Sequence, residues 1–527
     1  MHGSLVTGIR RFQGYHALPV GNRPNAGAGP AVAQAGVGGE RFACCGANHA
    51  GMPTPTGHAF TDELSQLDAV ATAEAIRSGA LSATEVVTAA VARADRVEAS
   101  INAIATPDFE RAVRTAAKTA PGPFAGVPTF IKDLMDVEGL PTRQGSEALD
   151  GVGPARHTAG LAQQMFDMGM ICLGKSTLPE FGFPPSTEFP NAQPTRNPWN
   201  LNHTPGGSSG GAAALVAAGV VPIAHAADGG GSIRIPAACC GLVGLKPTRG
   251  RLLTPAAAKL YPVNIVVDGV LSRSVRDTAL YYAEAEQRFR NHRLPPMERI
   301  TTHPARRLRF GAVIKSPVGA VDAPTRAAFD NTVTLLETLG HHVEPITAPA
   351  SAQFAEDFIH LYALLAFVVR SAGRRLFDRS FDRSRLTHLT HGLAARFRER
   401  IANTPSAIFR LRRAAADLAP VFERFDVVLS PTVNRIAPAV GYLGMDLPFD
   451  VVFPRVVEWA GFTPLANASG SPSISLPLGH DADTNLPIGM MFTAAPGQDG
   501  LLLQLALELE DAAPWRTLAT AEAPRSK

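Results

Sequence analysis

A serine at the end of a glycine run is the first feature of this chain that could carry out chemistry. Ser232 follows Gly229, Gly230 and Gly231, and the run begins after Asp228. Glycine has no Cβ, so the backbone N–H groups of such a loop can converge on one point, as the stabilisation of an oxyanion requires. Ser232 would then attack a carbonyl carbon whose oxygen those N–H groups hold. A phosphate-binding loop and a plain tight turn are the alternatives for this pattern taken alone.

A second cluster of serine and glycine, over residues 206–211, contains Ser208 in G-x-S-x-G spacing. That spacing is typical of the nucleophile elbow of α/β hydrolases, which also needs an acidic residue and a histidine later in the chain. An elbow follows a strand, and the segment 201–205 has a poor strand sequence. The cluster is not a Walker loop for phosphate either, because Gly211 is followed by alanine and not by lysine.

A lysine at the end of an apolar run could supply a base. Lys132 closes the run Gly-Val-Pro-Thr-Phe-Ile at residues 126–131. A lysine that enters a core is costly unless it is neutral or paired, and the loss of water lowers its pKa toward the range of a general base. The alternative is a surface lysine whose aliphatic stem alone is buried.

Two charged residues stand close to Ser232 in the chain. Asp228 and Arg234 are the only Asp, Glu, Lys or Arg residues between Asn197 and Leu245, a stretch of 49 residues. A stretch so poor in charge is predicted to be buried. Two opposite charges inside it are expected to pair and to brace the glycine loop.

Taken together, these motifs resemble the amidase signature family. The resemblance rests on Lys132, on the serine–glycine cluster, on the 24 positions that separate Ser208 from Ser232, and on the segment 233–248. It is specific over residues 126–250 and looser from there to the end of the chain.

That resemblance implies a Ser-cisSer-Lys triad in which Ser232 is the nucleophile, Ser208 the bridging serine and Lys132 the base. The N–H groups of the three glycines before Ser232 would form the oxyanion hole, and neither a metal nor a cofactor is implied. The implied fold is a single α/β domain with a mixed, mainly parallel central sheet covered by helices on both sides.

The implied activity is hydrolysis of a carboxylic amide to an acid plus ammonia or an amine, through a serine acyl-enzyme. Gly229 stands where subunits that amidate mischarged tRNA usually carry threonine, so the chain looks more like stand-alone bacterial amidases and cyclic-amide or nylon-oligomer hydrolases. The alternatives are an amidotransferase A subunit, a Ser-His-Asp hydrolase that uses Ser208, and a binding scaffold without activity. Segments 177–190, 361–370 and 452–462 are apolar and aromatic, which predicts a pocket for a hydrophobic acyl or aryl amide.

The elements that position these residues follow from hydrophobic periodicity. Helices are predicted over 62–79 and 82–98, and the second begins with Ser82 and Glu85 as a capping box. Strands and helices then alternate, which indicates an α/β fold. Strands are predicted at 126–131, 171–174, 308–313, 342–343, 425–429, 473–476 and 488–492, and helices at 322–339, 353–377, 385–401, 405–423 and 499–511.

Composition sets bounds on organisation, partners and location. Residues 1–56 are rich in Gly, Ala and Pro without any period, which predicts a disordered extension, and residues 57–527 are predicted to form one domain. A net charge of +3 and the lack of long Lys/Arg runs argue against a nucleic-acid partner.

The longest uncharged run is broken by Gly, Ser and Pro222, so no membrane span is predicted. Five cysteines in neither a disulfide framework nor a CxxC metal site favour the cytoplasm. We expect a small-molecule amide as the partner and leave a homodimer open.

Overall fold

The computed structural model describes residues 62–254 and 261–518. The extension predicted at residues 1–56 lies outside the described residues, so it stays a prediction.

Three helices come first: α1 Glu63–Gln66, α2 Ala69–Arg77 and α3 Ala83–Ile101. The predicted capping box is confirmed. Ser82 Oγ accepts a hydrogen bond from the Glu85 N–H at 3.1 Å, and the Glu85 carboxylate accepts one from the Ser82 N–H at 2.8 Å. Two N–H groups that the first turn of a helix leaves unpaired are thereby satisfied, so the start of α3 is fixed by local sequence.

A three-stranded sheet positions the lysine. Its strands are β1 Ile104–Pro107, β2 Pro128–Lys132 and β3 Ile171–Ser176, in the order β1-β3-β2, with β2 and β3 parallel. All five residues of β2 are buried, so the strand delivers its last residue, Lys132, to the interior. Thr129 of β2 donates a side-chain hydrogen bond to the Ile223 carbonyl at 3.0 Å, which ties this sheet to the larger one.

The larger sheet has eight strands in the order β4-β6-β5-β10-β11-β9-β7-β8. The strands are β4 Ile223–Asp228, β5 Val243–Lys246, β6 Val267–Ser272, β7 Arg309–Ala312, β8 His342–Pro345, β9 Val427–Pro431, β10 Ser473–Asp481 and β11 Leu486–Ala494.

The sheet is mixed, as predicted, but the prediction that it is mainly parallel was wrong. Among the strand pairs that the structure describes in this sheet, β7–β8 and β7–β9 are parallel, whereas the five pairs among β4, β6, β5, β10, β11 and β9 are antiparallel. The reason lies in the connections. Residues 482–485 join β10 to β11, and so short a link can form a hairpin but not the crossover that parallel strands require.

Helices pack on both faces of this sheet. Ile474 and Met490 belong to the main hydrophobic core together with residues of α9 and α15. Their neighbours alternate to the other face, where Met491 Sδ lies 3.4 Å from an Arg234 nitrogen at the start of α7. The helices from α4 onward are α4 Phe109–Ala116, α5 Gly160–Asp167, α6 Gly210–Ala217, α7 Arg234–Cys240, α8 Val275–Arg288, α9 Ala323–Thr338, α10 Ala352–Leu376, α11 His388–Glu399, α12 Thr404–Arg424, α13 Phe449–Trp459, α14 Pro464–Ser469 and α15 Asp499–Ala512.

Within residues 62–254 and 261–518, one helix, α10, is long and apolar enough to cross a membrane by length and composition alone. This is weak evidence for a span, because the core helix of a soluble protein passes the same test. The helix buries Phe358, Leu361, Ala363 and Ala366 within the protein. Part of its apolar surface also lines the cavity described below.

Candidate active site

The amine of Lys132 is enclosed by two serines. Lys132 is 0% exposed, and its Nζ lies 2.9 Å from Ser208 Oγ and 2.9 Å from Ser209 Oγ. Ser209 Oγ also bonds the backbone of Ala227, at the end of β4, at 3.3 Å. Two of the three residues predicted to act together, Lys132 and Ser208, are therefore in hydrogen-bond contact. Ser209 helps to fix the amine, a contact that G-x-S-x-G spacing does not specify.

Burial sets the protonation of this lysine. Loss of water lowers the pKa of Lys132 to about 7, although the carboxylates of Asp268 and Asp228 act in the opposite direction. An amine with a pKa near neutrality is present in both forms at physiological pH. Lys132 can therefore both accept and return a proton there.

A histidine and an aspartate lie beside Lys132. His225 Nδ1 accepts a hydrogen bond from the Lys132 N–H at 3.3 Å, and His225 Nε2 lies 3.2 Å from Asp268 Oδ1. The first bond places the imidazole proton on Nε2, which then donates to Asp268. This His–Asp pair faces the lysine backbone and makes no hydrogen bond to Ser208 within residues 62–254 and 261–518. The geometry thus favours a lysine over a histidine as the partner of Ser208.

The loop that carries Ser208 is tightly packed, and its glycines allow this. The Gly207–Ser208 peptide bond is cis. Gly206 has φ +76°, a conformation that residues with a Cβ rarely adopt. A Cβ on Gly207 would lie 2.9 Å from the Pro185 carbonyl carbon, and one on Gly182 would lie 3.0 Å from Ser208 Oγ. Side chains at these positions would displace the serine.

The glycine loop after β4 leaves some of its backbone donors free. The Gly231 N–H donates to Asp228 Oδ1 at 2.7 Å. The N–H groups of Gly229, Gly230 and Ser232 donate to no acceptor in the part of the chain that the structure describes. The predicted oxyanion role of Gly231 therefore does not fit this geometry, because its donor is already used by a carboxylate. The other N–H groups of the loop remain available to a ligand.

Asp228 and Arg234 form the buried pair that the sequence predicts, and both are 0% exposed. Arg234 Nε and Nη2 each lie 2.9 Å from an Asp228 oxygen, and Asn467 Nδ2 donates to Asp228 Oδ1 at 2.8 Å. Burial alone would raise the pKa of Asp228, but Arg234, Asn467 and Lys246 outweigh it and hold that pKa well below its usual range. The carboxylate thus stays charged and holds the loop by accepting from the Gly231 N–H.

Ser232 opens onto a cavity whose empty space, counted together with the open solvent at its mouth, is about 1370 Å³. Each of the three predicted pocket segments contributes to its lining, with Phe183, Tyr362 and Phe453 among the side chains. Among the described residues, no Asp, Glu, Lys or Arg lines it. The space next to Ser232 is therefore suited to an apolar group.

The sequence did not point to several residues at this site. Thr463 Oγ1 donates to the Gly230 carbonyl at 2.5 Å, and the Thr463 carbonyl accepts from Arg234 at 3.0 Å. Asn467 also bonds the Asp228 carbonyl at 3.1 Å. These partners lie more than 200 positions from the loop that they support. No local pattern marks such residues, and only an accurate fold would have found them.

The described residues contain no group of three or more His, Cys, Asp or Glu side chains that could hold a metal ion.

Comparison with known sequences gives the same family throughout. The family model named Amidase matches residues 85–503. The chain is 47% identical over 463 residues to a Mycobacterium tuberculosis protein named as the amidase AmiC, covering 87% of this chain and 97% of that protein. It is 35% identical over 476 residues to the 6-aminohexanoate-cyclic-dimer hydrolase of Paenarthrobacter ureafaciens, covering 85% and 95%.

Solved structures agree. A 6-aminohexanoate cyclic dimer hydrolase complexed with substrate superposes with a TM-score of 0.78 at 32% identity, covering 88% of this chain and 99% of that one. A bacterial aryl acylamidase of the amidase signature family gives a TM-score of 0.74 at 27% identity, covering 85% and 96%. The site holds a buried lysine that is hydrogen-bonded to a serine beside a glycine loop, and the fold and the relatives are those of amidases. The chain therefore belongs to the amidase family and is a hydrolase of amide C–N bonds.

Proposed function

We propose that the enzyme hydrolyses its amide through a Ser-cisSer-Lys triad of Lys132, Ser208 and Ser232. The observation that carries the proposal is the 2.9 Å contact between Lys132 Nζ and Ser208 Oγ, made by a lysine whose pKa burial lowers to about 7. A neutral amine can take a proton from a serine hydroxyl, whereas an ammonium cannot.

The acylation step moves one proton along the three side chains. Neutral Lys132 accepts the proton of Ser208, and Ser208 accepts the proton of Ser232 as Ser232 Oγ bonds to the amide carbon. The carbonyl electrons move onto oxygen. When the tetrahedral intermediate collapses, the C–N bond breaks and the relay runs in reverse, so the departing nitrogen leaves protonated as ammonia or an amine.

The deacylation step uses the same groups with water as the nucleophile. Water adds to the ester carbon and passes its proton to the relay, and the bond to Ser232 Oγ then breaks. The products are the carboxylic acid and free Ser232. We assign the oxyanion to the N–H groups of Gly229, Gly230 and Ser232, while the Gly231 N–H anchors the loop on Asp228.

The apolar cavity supports a proposal for the substrate class. We propose an uncharged amide with a hydrophobic acyl or aryl group, since no charged side chain among the described residues lines the space beside Ser232. A carboxylate or ammonium in this space would lose its hydration without gaining a partner. One relative, the 6-aminohexanoate-cyclic-dimer hydrolase, is named for a cyclic amide. A cyclic dimer has no free amine or carboxylate end, so such an amide is uncharged.

We propose further that the protein works alone, on small molecules and in the cytoplasm. Cys172, Cys239 and Cys240 are free thiols, which is compatible with a reducing compartment. Hydrolysis by the purified chain without any added subunit is the expected result. An amidase that gained activity only with a partner protein and tRNA would instead be an amidotransferase subunit.

The triad is tested by covalent labelling. The purified protein is treated with a fluorophosphonate serine probe, and the adduct is located by peptide mass mapping in wild type, Ser232→Ala and Ser208→Ala. We expect the adduct on Ser232 in wild type, none in Ser232→Ala, and much slower labelling in Ser208→Ala. An adduct on Ser208 would establish the nucleophile-elbow alternative, and no adduct in wild type would indicate a binding scaffold.

A further inference from the structure

One face of α10 forms an aromatic row along the cavity. Phe354, Phe358 and Tyr362 are spaced four residues apart, so they share a helix face. Their ring centroids follow one another at 6.0 Å and 5.3 Å, and Phe183 contacts the last ring edge-on at 6.2 Å. All four residues line the cavity, and Phe358 and Tyr362 both reach the glycine loop, where Tyr362 brings its hydroxyl closest to Gly230.

The hydroxyl of Tyr362 lies against the loop that precedes Ser232. A Cβ on Gly230 would be 2.5 Å from Tyr362 Oη, and a Cβ on Gly229 would be 3.5 Å from it. The hydroxyl oxygen therefore occupies the space directly over this glycine pair. Burial raises the pKa of Tyr362, so the hydroxyl keeps its proton and remains a donor at all working pH values.

This hydroxyl has no hydrogen-bond partner among the described residues, which is unusual for a tyrosine packed in a protein. Apart from Ser232, the other hydroxyls of the cavity lining each have a hydrogen-bond partner. Ser430 Oγ donates to the Pro431 carbonyl at 2.9 Å, and Thr493 Oγ1 lies 2.9 Å from Ser473 Oγ. Within the described lining, the side-chain hydroxyls left for a ligand are thus those of Ser232 and Tyr362.

We propose that Tyr362 donates a hydrogen bond to the substrate carbonyl oxygen and to the oxyanion that it becomes, adding a side-chain donor to the backbone N–H groups of the oxyanion hole. The assignment rests on the proposed function. Two observations at the loop support it. The Gly231 N–H already donates to Asp228, and a hydroxyl without a partner lies over Gly229 and Gly230.

The role has a distinct kinetic signature. A donor whose bond strengthens as charge develops on the oxygen lowers the barrier more than it improves binding, so its loss reduces kcat and leaves KM nearly unchanged. A hydroxyl that only anchored some other part of the substrate would instead raise KM. Removal of one oxyanion donor costs on the order of 100-fold in kcat.

The test compares Tyr362→Phe with wild type on hexanoyl 4-nitroanilide and hexanamide. Tyr442→Phe serves as the matched control, because Tyr442 does not line this cavity. We expect a loss of roughly 100-fold in kcat for Tyr362→Phe with KM within threefold, and no change for the control. A kcat within threefold of wild type would overturn the proposal, and so would a rise in KM at constant kcat.

A second measurement does not depend on turnover. A trifluoromethyl ketone with a hexyl chain forms a hemiketal with the nucleophile and places an oxyanion in the hole. We expect its inhibition constant to rise in Tyr362→Phe by a factor similar to the loss of kcat, while that of the matching methyl ketone, which stays a neutral ketone, changes much less. Equal effects on both compounds would overturn the proposal.

These results also separate this inference from the proposed function. If wild type neither hydrolyses amides nor labels at Ser232, both fail. If wild type does both and Tyr362→Phe matches it, the inference about Tyr362 alone fails. The phenylalanine variant leaves no described protein group without a partner, and an unchanged thermal unfolding temperature would show that it folds.

Discussion

Replacing Lys132 by methionine gives the sharpest test of the base. Methionine has a similar length and no titratable group, so the variant removes the amine with little change in volume. Lys246→Met is the matched control: Lys246 is also buried, burial likewise lowers its pKa to about 7, and its Nζ donates to the Pro247 carbonyl and not to a serine.

The magnitude follows from the pKa. At an ordinary pKa of 10.5, about one lysine in 3000 is neutral at pH 7, whereas with the pKa of Lys132 at about 7 half are neutral. Burial therefore raises the population of the active form about 1500-fold. The corresponding cost of keeping the charged form in the core is about 5 kcal/mol.

The assay is kcat/KM against pH from 5.5 to 9 with one amide substrate. The neutral fraction rises as pH rises through 7, so wild type should lose about tenfold per pH unit below pH 7 and reach a plateau above it. Lys132→Met should be inactive at every pH, and Lys246→Met should keep the inflection near pH 7. A wild-type profile that is flat below pH 7 would refute the reasoning. So would a Lys132→Met variant that stays active and keeps the loss of kcat/KM below pH 7.

The same substitution should also change the free energy of unfolding, and the linkage between proton binding and folding fixes the sign of the change. The folded pKa of Lys132 lies below the unfolded value, so between about pH 7 and pH 10.4 the unfolded chain binds more protons. The penalty from this lysine is fully present below pH 7 and disappears as pH rises through the unfolded pKa. Urea unfolding should therefore show Lys132→Met at its most stable relative to wild type at or below pH 7, with the difference shrinking toward pH 10. A difference that grows with pH would contradict this.

Three further outcomes are expected. Asp268→Asn removes a carboxylate that raises the pKa of Lys132, so the acid limb of the kcat/KM profile should move to lower pH; a shift to higher pH would contradict that electrostatic role. Arg234→Met leaves Asp228 buried without its ion partner and should lower the free energy of unfolding by about 3–5 kcal/mol in urea, and adding Asp228→Asn should recover part of that loss. Hexanamide and benzamide should show higher kcat/KM than acetamide and than the charged succinamate, and the reverse order would exclude an apolar pocket.

Local patterns were sufficient for much of the fold. The capping box at Ser82 and Glu85 involves neighbours three residues apart, so the sequence states the whole interaction. The long helices α9, α10, α12 and α15 lie within two residues of their predicted bounds, because an apolar stripe at helical spacing marks a helix over its full length. Strand direction is different: it depends on which strands become neighbours, and no single segment carries that information.

The sequence alone determined which residue types could perform the chemistry. The glycines around Ser208 and Ser232 are visible locally because backbone that packs this closely tolerates no Cβ, and Lys132 is visible because it ends an apolar run. Only the tertiary structure decided that Lys132 meets Ser208 across 76 positions, that Gly231 gives its N–H to Asp228, and that the hydroxyl of Tyr362 lies over the glycine loop. Such contacts depend on packing between elements far apart in the chain, and hydrogen bonds and pKa values are set by distances and burial that exist only after folding.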